Sequence, residues 1–265
     1  RLYRRTEKWN ALLDLYKEDM DRLPASDVRG RVDRLLEVVE IYRDRLKLEV
    51  MVINTYVAIL KLDPGNRQAI DALAAKYRDL GRWNDLIAIL NQKADLVEMP
   101  TYERVALLRE IADLWSDRFG NFAQAVRPLE RLLELEPGAA DTISRLKQIY
   151  THRKQWRALI GLLEREAAGL SGAERQHKVS EMARIAFERG GDNRLAIELY
   201  NLVLHEFPES PQATLAALAQ LYEREKRWLA LAEILRQQRQ RAVAAEAVAT
   251  LEKLGALFSD RLGAP

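Results

Sequence analysis

The chain has 265 residues, 48% of them hydrophobic and 31% charged, and a formal net charge of +2. That composition excludes a disordered chain, and the near-balance of charge gives no bulk electrostatic case for nucleic acid or for a membrane surface. There is no cysteine, hence no disulfide framework and no thiolate metal site, and no apolar run approaches the roughly 20 residues that span a bilayer.

Two motifs alternate along the chain. The first is Tyr followed six residues later by Trp: Tyr3 and Trp9, Tyr77 and Trp83, Tyr150 and Trp156, Tyr222 and Trp228. Each Trp is followed after three residues by a leucine: Leu12, Leu86, Leu159 and Leu231. The Trp residues are 74, 73 and 72 positions apart, a fixed period that marks a repeat architecture. The second motif is clearest in Ile111–Gly120 and Leu254–Gly263, with diverged copies at Val38–Lys47 and Met182–Gly191. Pro64, Pro137 and Pro208 each follow a copy by 17 residues. Turn positions then fall at Glu7, Lys47, Gly81, Gly120, Lys154, Gly191, Lys226 and Gly263.

Between the turns the apolar period is helical. Val105, Leu108, Ile111, Ala112 and Trp115 follow the i, i+3, i+4 rule, as do Leu86, Ile87, Leu90 and Ala94, and no segment alternates as a strand does. The spacing predicts about fourteen helices and an N-terminal stub: 8–22, 27–45, 48–61, 67–80, 83–97, 102–118, 122–135, 140–152, 156–168, 173–189, 193–206, 212–225, 228–241 and 245–262. Ser171-Gly-Ala-Glu174 has capping-box spacing, and Ser210-Pro211 reads as an N-cap followed by Pro at the first helical position. Asp63-Pro64-Gly65 and Glu136-Pro137-Gly138 read as helix stops. Because Arg1-Leu-Tyr3 already lies inside a repeat, the chain reads as a piece of a longer array. Any targeting segment is then expected outside it, and a cytoplasmic setting is expected.

The helix pairs resemble the tetratricopeptide repeat (TPR). The resemblance rests on Ile111-Ala112 before Trp115 with Ala125 and Pro137, on Ala196, Tyr200 and Pro208, and on Leu73-Ala74 before Tyr77. There are departures: Trp opens the second helix of alternate pairs, three pairs carry one extra residue before the turn, and the Trp-type pairs lack the closing Pro and have longer connections. The resemblance implies an all-α, right-handed solenoid of antiparallel helix pairs, one domain over 1–265. Its six complete pairs lie near 27–62, 66–98, 101–136, 139–169, 172–207 and 211–242, with half-repeats at both ends. The four motif tryptophans are read as core.

Little in the sequence suggests chemistry. Arg118-Phe-Gly-Asn121 is a helix–helix turn rather than a phosphate loop, and His152, His177 and His205 have no metal-ligand spacing. No metal, cofactor or catalytic group is expected, and Arg236–Arg241 reads as a solvated helix end. The resemblance implies that the first helix of each pair lines a concave groove. Arg109, Asp113, Arg145, Gln148 and Arg184 are the candidate partner-binding residues there, with Asp117, Asp141, Ser144, His152, His177, Ser180 and Glu188 on the same positions. The Lys/Asn set with which some TPR domains clamp a C-terminal carboxylate is absent. The expected function is a non-enzymatic scaffold for a protein or peptide segment. The alternatives are a helical-repeat protein of RNA processing and the docking arm of an enzyme outside this piece. Val248, Leu251, Leu254, Leu257 and Phe258, on a helix without a second helix to cover it, point to self-association through the C-terminal half-repeat.

Overall fold

A computed structural model describes residues 2–209, 212–241 and 244–262. Among the described residues every regular element is helical. They fall into two compact units, one within residues 1–142 and one within 143–265, the division lying in the first turn of one helix.

The first unit contains α1 (Leu2–Arg5), α2 (Trp9–Arg22), α3 (Val28–Glu40), α4 (Glu49–Leu62), α5 (Arg67–Asp79), α6 (Trp83–Ala94), α7 (Thr101–Asp113) and α8 (Phe122–Leu135). Helices α3 and α4, α5 and α6, and α7 and α8 pack as hairpins, and α4 on α5 and α6 on α7 join one hairpin to the next. The packed stripe is the one given by the 3.6-residue period. Val52, Ile59, Ile70, Leu73 and Leu86 are fully buried in one cluster, and Leu108 joins Ala94 and Leu132 in another.

Helix α9 (Ala140–His152) spans the division, and the second unit continues with α10 (Trp156–Ala167), α11 (Gly172–Arg184), α12 (Asn193–Glu206), α13 (Gln212–Arg224), α14 (Trp228–Arg241) and α15 (Ala244–Leu257). Here α11 pairs with α12 and α13 with α14, while α10 on α11 and α12 on α13 link the pairs. Each unit is thus a stack of helix pairs whose apolar faces are covered by their neighbours, the packing of an all-α solenoid.

The turns explain the spacing of the sequence. Glu7, Lys47, Gly81, Gly120, Lys154, Gly191 and Lys226 all have positive φ, between 53° and 66°. Each is the left-handed residue that ends a helix and frees the chain to reverse. The eighth position, Gly263, and the cap read at Ser210-Pro211 lie outside the described residues. The turns take two forms. In the Trp-type turns the N–H five residues on closes the helix: Lys8 to Tyr3, Arg82 to Tyr77, Gln155 to Tyr150 and Arg227 to Tyr222, at 2.8–3.1 Å. In the others the helix ends in a π turn (Ile41–Leu46 after α3, Leu114–Arg118 after α7, Ile185–Gly190 after α11), and the closing bond spans six residues. These bonds run from Leu48 to Tyr42, Asn121 to Trp115 and Asp192 to Ala186, at 2.8–3.0 Å. The extra residue before the turn in three pairs is therefore absorbed as a π turn, with the left-handed residue kept in place.

A lysine in the left-handed region carries a steric penalty that glycine does not. Lys154→Gly is expected to raise stability by about 0.5–1 kcal/mol, the relief outweighing glycine's extra freedom in the unfolded chain. Urea unfolding of the variant checks it; a loss of stability would show that the Lys154 side chain makes a contact worth more than the strain.

The connections after α6 and α10 have Glu98 and Ser171 where the alternate pairs carry their closing proline, while the one after α2 carries Pro24. Arg31, Arg104 and Arg175 each stand 16 residues before a turn position. Each reaches back eight residues to the carbonyls that end the preceding helix or begin its loop: Arg31 to Leu23 at 3.1 Å, Arg104 to Leu96 at 2.8 Å and Arg175 to Ala167 at 2.9 Å. Arg104 also donates to the Ala94 carbonyl at 2.9 Å. This is why α6 stops at Ala94, three residues short of the predicted end: its terminal carbonyls find a guanidinium instead of another helical turn.

Two readings need correction. Trp9, Trp83, Trp156 and Trp228 are half-buried rather than core residues. They open their helices at the edge of the stack, and the leucine three residues on, as in Leu86, takes the core position. The Ser171 side chain makes no cap bond, because Gly172 at φ 54° turns the backbone away. Elsewhere caps do form: Asp27, Asn66, Asn121 and Asp192 accept from Gly30, Ala69, Gln124 and Leu195 at 2.9–3.3 Å.

Candidate partner-binding face

The stripe of α7 opposite its core residues carries Ala106, Arg109, Glu110 and Asp113, spaced so that they share one face, and Asp117 follows in the π turn. With Leu114 and Arg118 they line a cleft of about 420 Å³ in the first unit. Two of the sequence-predicted residues, Arg109 and Asp113, thus meet in one cleft. Its charges are held in place by the neighbouring elements. Arg109 donates to Glu136 at 3.3 Å, and Arg78 on α5 donates to Glu110 at 2.7 Å. Arg118 lies 4.9 Å over the Trp83 ring. Ala106 and Leu114 give the cleft an apolar part, and its charged lining residues carry both signs.

The other three predicted residues belong to the second unit. On α9, Gln148 is exposed and Arg145 half-buried one turn earlier; Arg184 is exposed at the end of α11. The histidines are dispersed over α9, α11 and α12, and no group of three or more potential ligands among the described residues could hold a metal ion. The shifted titrations belong to packing: burial raises the Tyr77 and Tyr200 phenols. The hydrogen-bonded guanidinium of Arg175 holds the Glu206 carboxyl below its usual range. No described helix is long and apolar enough to cross a membrane.

Sequence reading missed two periodic features. Ion pairs join helices about one repeat apart: Arg67 with Glu103, Arg78 with Glu110, Arg131 with Asp95 at 2.6 Å, and Arg175 with Glu206 at 2.7 Å. Arginines also cover the tryptophans of the preceding helix: Arg45 over Trp9 at 5.1 Å, Arg118 over Trp83 at 4.9 Å and Arg261 over Trp228 at 5.4 Å. Each of these arginines stands two residues before a turn position, so aligning the copies at Lys47, Gly120 and Gly263 would have exposed the row.

Recurring helix pairs, left-handed turns at one-repeat spacing and a buried seam between pairs define an all-α helical-repeat protein. Residues 181–210 match the family model described as tetratricopeptide repeat. Over that segment the chain is similar to a tetratricopeptide repeat. A search of curated proteins gives no match. Among solved structures, putative kinesin light chain nearly identical TPR-like repeats from Podosopora anserina are 22% identical, over 67% of this chain and 95% of theirs, with a TM-score of 0.33. A tetratricopeptide repeat protein from Parabacteroides merdae is 16% identical over 97% of this chain and 94% of its own, with a TM-score of 0.32. The TPR2AB domain of yeast Sti1, solved in complex with pHSP90, is 12% identical over 87% of this chain and 98% of its own, with a TM-score of 0.31.

Proposed function

We propose that the chain is a non-enzymatic cytoplasmic scaffold, acting as one domain of six helix pairs between half-repeats, that holds a protein or peptide segment on the polar faces of its first helices. The observation that supports this most directly is the α7 cleft. Its Arg109 and Asp113 present hydrogen-bonding groups of both signs, with Ala106 and Leu114 as its apolar part, on the face opposite the buried stripe. Gln148, Arg145 and Arg184 extend the same polar character along α9 and α11. A disordered segment ordered on such faces binds with micromolar affinity, because its ordering offsets part of the contact energy.

Gln148 and Arg184 are exposed where Arg145 is half-buried, so they make the cleaner test. Capture of partners by the wild-type chain and by the Gln148→Ala, Arg184→Glu variant, with mass spectrometry, identifies the segment. Calorimetry should then show a loss of about 1–3 kcal/mol in binding at an unchanged melting temperature. Equal affinity in a folded variant would move the site off these helices. The proposal includes self-association through α15, where Val248 and Leu251 are 57% and 46% exposed. Sedimentation of the same samples reads it, and a monomer at all concentrations would remove that part.

A further inference from the structure

The π turns place corresponding residues in three copies without ambiguity, because the carbonyl that accepts the closing bond belongs to Tyr42, Trp115 and Ala186 in turn. Four residues on, at the last position before the left-handed residue, stand Leu46, Phe119 and Gly190. In the first copy both side chains are large, and Tyr42 and Leu46 pack in a cluster that includes Trp9. In the second, Trp115 and Phe119 meet with ring centroids 5.1 Å apart. The third copy replaces both with the smallest residues available. Beside them is a cleft of about 500 Å³ between the starts of α10 and α12 and the π turn, lined by Trp156, Ile160, Ala186, Gly190 and Leu195. The volume falls in the range of about 300–1,000 Å³ typical of pockets that bury a ligand. Covering of the tryptophan is also altered in this copy. Arg45, Arg118 and Arg261 lie over their tryptophans, whereas here Arg224 stacks on Phe187 and Trp156 lines the cleft.

We propose that this cleft is a second docking site, separate from the polar faces of the first helices, and that it receives a phenylalanine or leucine side chain from a partner segment in which carboxylates flank that residue. The apolar part of this assignment comes from the chain itself: at these positions its other copies carry aromatic and leucine side chains. The acidic part comes from the rim. Lys154 and Arg157 line the cleft, Arg157 with 88% of its side chain exposed, and the exposed Arg153 and Arg189 adjoin it in sequence. The lining carboxylate, Asp192, is paired with Arg157 at 3.3 Å. A basic rim around an apolar seat selects for an acidic segment with an apolar anchor, the anchor supplying affinity and the rim orientation.

Gly190 provides the test, since its φ lies outside the left-handed region. A Cβ added there would meet the Trp156 Cβ at 3.7 Å and the Ile185 carbonyl at 3.6 Å, both ordinary contacts. Gly190→Leu therefore supplies from within the side chain that the first copy carries as Leu46. The probes are two capped heptapeptides, Gly-Asp-Glu-Phe-Asp-Glu-Gly and the same sequence with alanine for phenylalanine, titrated into the full chain by calorimetry. The phenylalanine peptide is expected to bind at least about tenfold more tightly than the alanine peptide, and Gly190→Leu to abolish that preference. The Lys154→Glu, Arg157→Glu variant, which leaves the seat untouched, is expected to weaken the phenylalanine peptide about tenfold and keeps the test open should the leucine variant not fold. Equal binding of the two peptides would reduce the site to nonspecific charge. An undiminished preference in Gly190→Leu, or an unweakened phenylalanine peptide in the Lys154→Glu, Arg157→Glu variant, would place the anchor elsewhere. Each result overturns the proposal.

Discussion

Leu108→Ala is expected to destabilise the first unit by about 3–5 kcal/mol, and Trp83→Ala by only about 1–2 kcal/mol, although the tryptophan is far the larger side chain. Leu108 is fully buried between Ala94 of α6 and Leu132 of α8, so its truncation leaves a cavity at the seam where one hairpin meets the next. Neighbouring repeats contact one another only through such seams, so a void there weakens both pairs it joins. Trp83 is half-buried and packs at the margin of the main cluster with Arg118 over its exposed face. Water refills most of the space it vacates, and what is lost is part of its apolar burial and one cation–π contact. Urea unfolding followed by circular dichroism ranks the two variants. A tryptophan variant as damaged as the leucine variant would mean that Trp83 is buried more deeply than the structure places it.

The contrast marks what could be seen in the sequence. Periodicity placed the helices well, and α8, α9, α12 and α14 have the predicted bounds, because each presents an apolar stripe every three to four residues. The turns were visible for the same reason: the chain enters the left-handed region once per helix pair, and Gly or Lys recurs there. Depth was not visible. The fixed Tyr-to-Trp distance suggested a core role. A fixed distance, however, is equally required of a residue that opens each helix at the edge of the stack and carries an arginine. The π turns appeared only as one surplus residue in an alignment, since nothing in Tyr42-Arg-Asp-Arg45 reveals a lengthened hydrogen-bond loop. For the binding face, i, i+4 spacing sufficed to put Arg109 and Asp113 on one stripe. The cleft beside Gly190 is invisible until copies are superimposed by their hydrogen bonds, because its signal is two side chains that are missing.

Arg104→Ala is expected to cost about 2–3 kcal/mol, a large effect for a side chain that is not fully buried. One guanidinium satisfies two backbone carbonyls, Ala94 at 2.9 Å and Leu96 at 2.8 Å, at a helix end whose last groups have no helical partner. The positive charge also sits at the negative end of the α6 dipole. The connection that follows has Glu98 at the position where the alternate pairs carry Pro64, Pro137 and Pro208. Where the arginine-type connections carry Arg31, Arg104 and Arg175, the proline-type ones carry Gly65 and Gly138 at the same distance from the turn. Two devices therefore serve these connections: a Pro-Gly corner after α4 and α8, and an arginine reaching back from the next helix after α2, α6 and α10. Lysine cannot reproduce the fork, so Arg104→Lys should recover less than half of the loss. Arg31→Ala, which removes one carbonyl bond of 3.1 Å, should cost less than Arg104→Ala. Amide hydrogen exchange would localise the damage to the Asp95–Pro100 loop and the last turn of α6. Unchanged protection there in the Arg104→Ala variant would leave the closure of this connection to the loop's own packing.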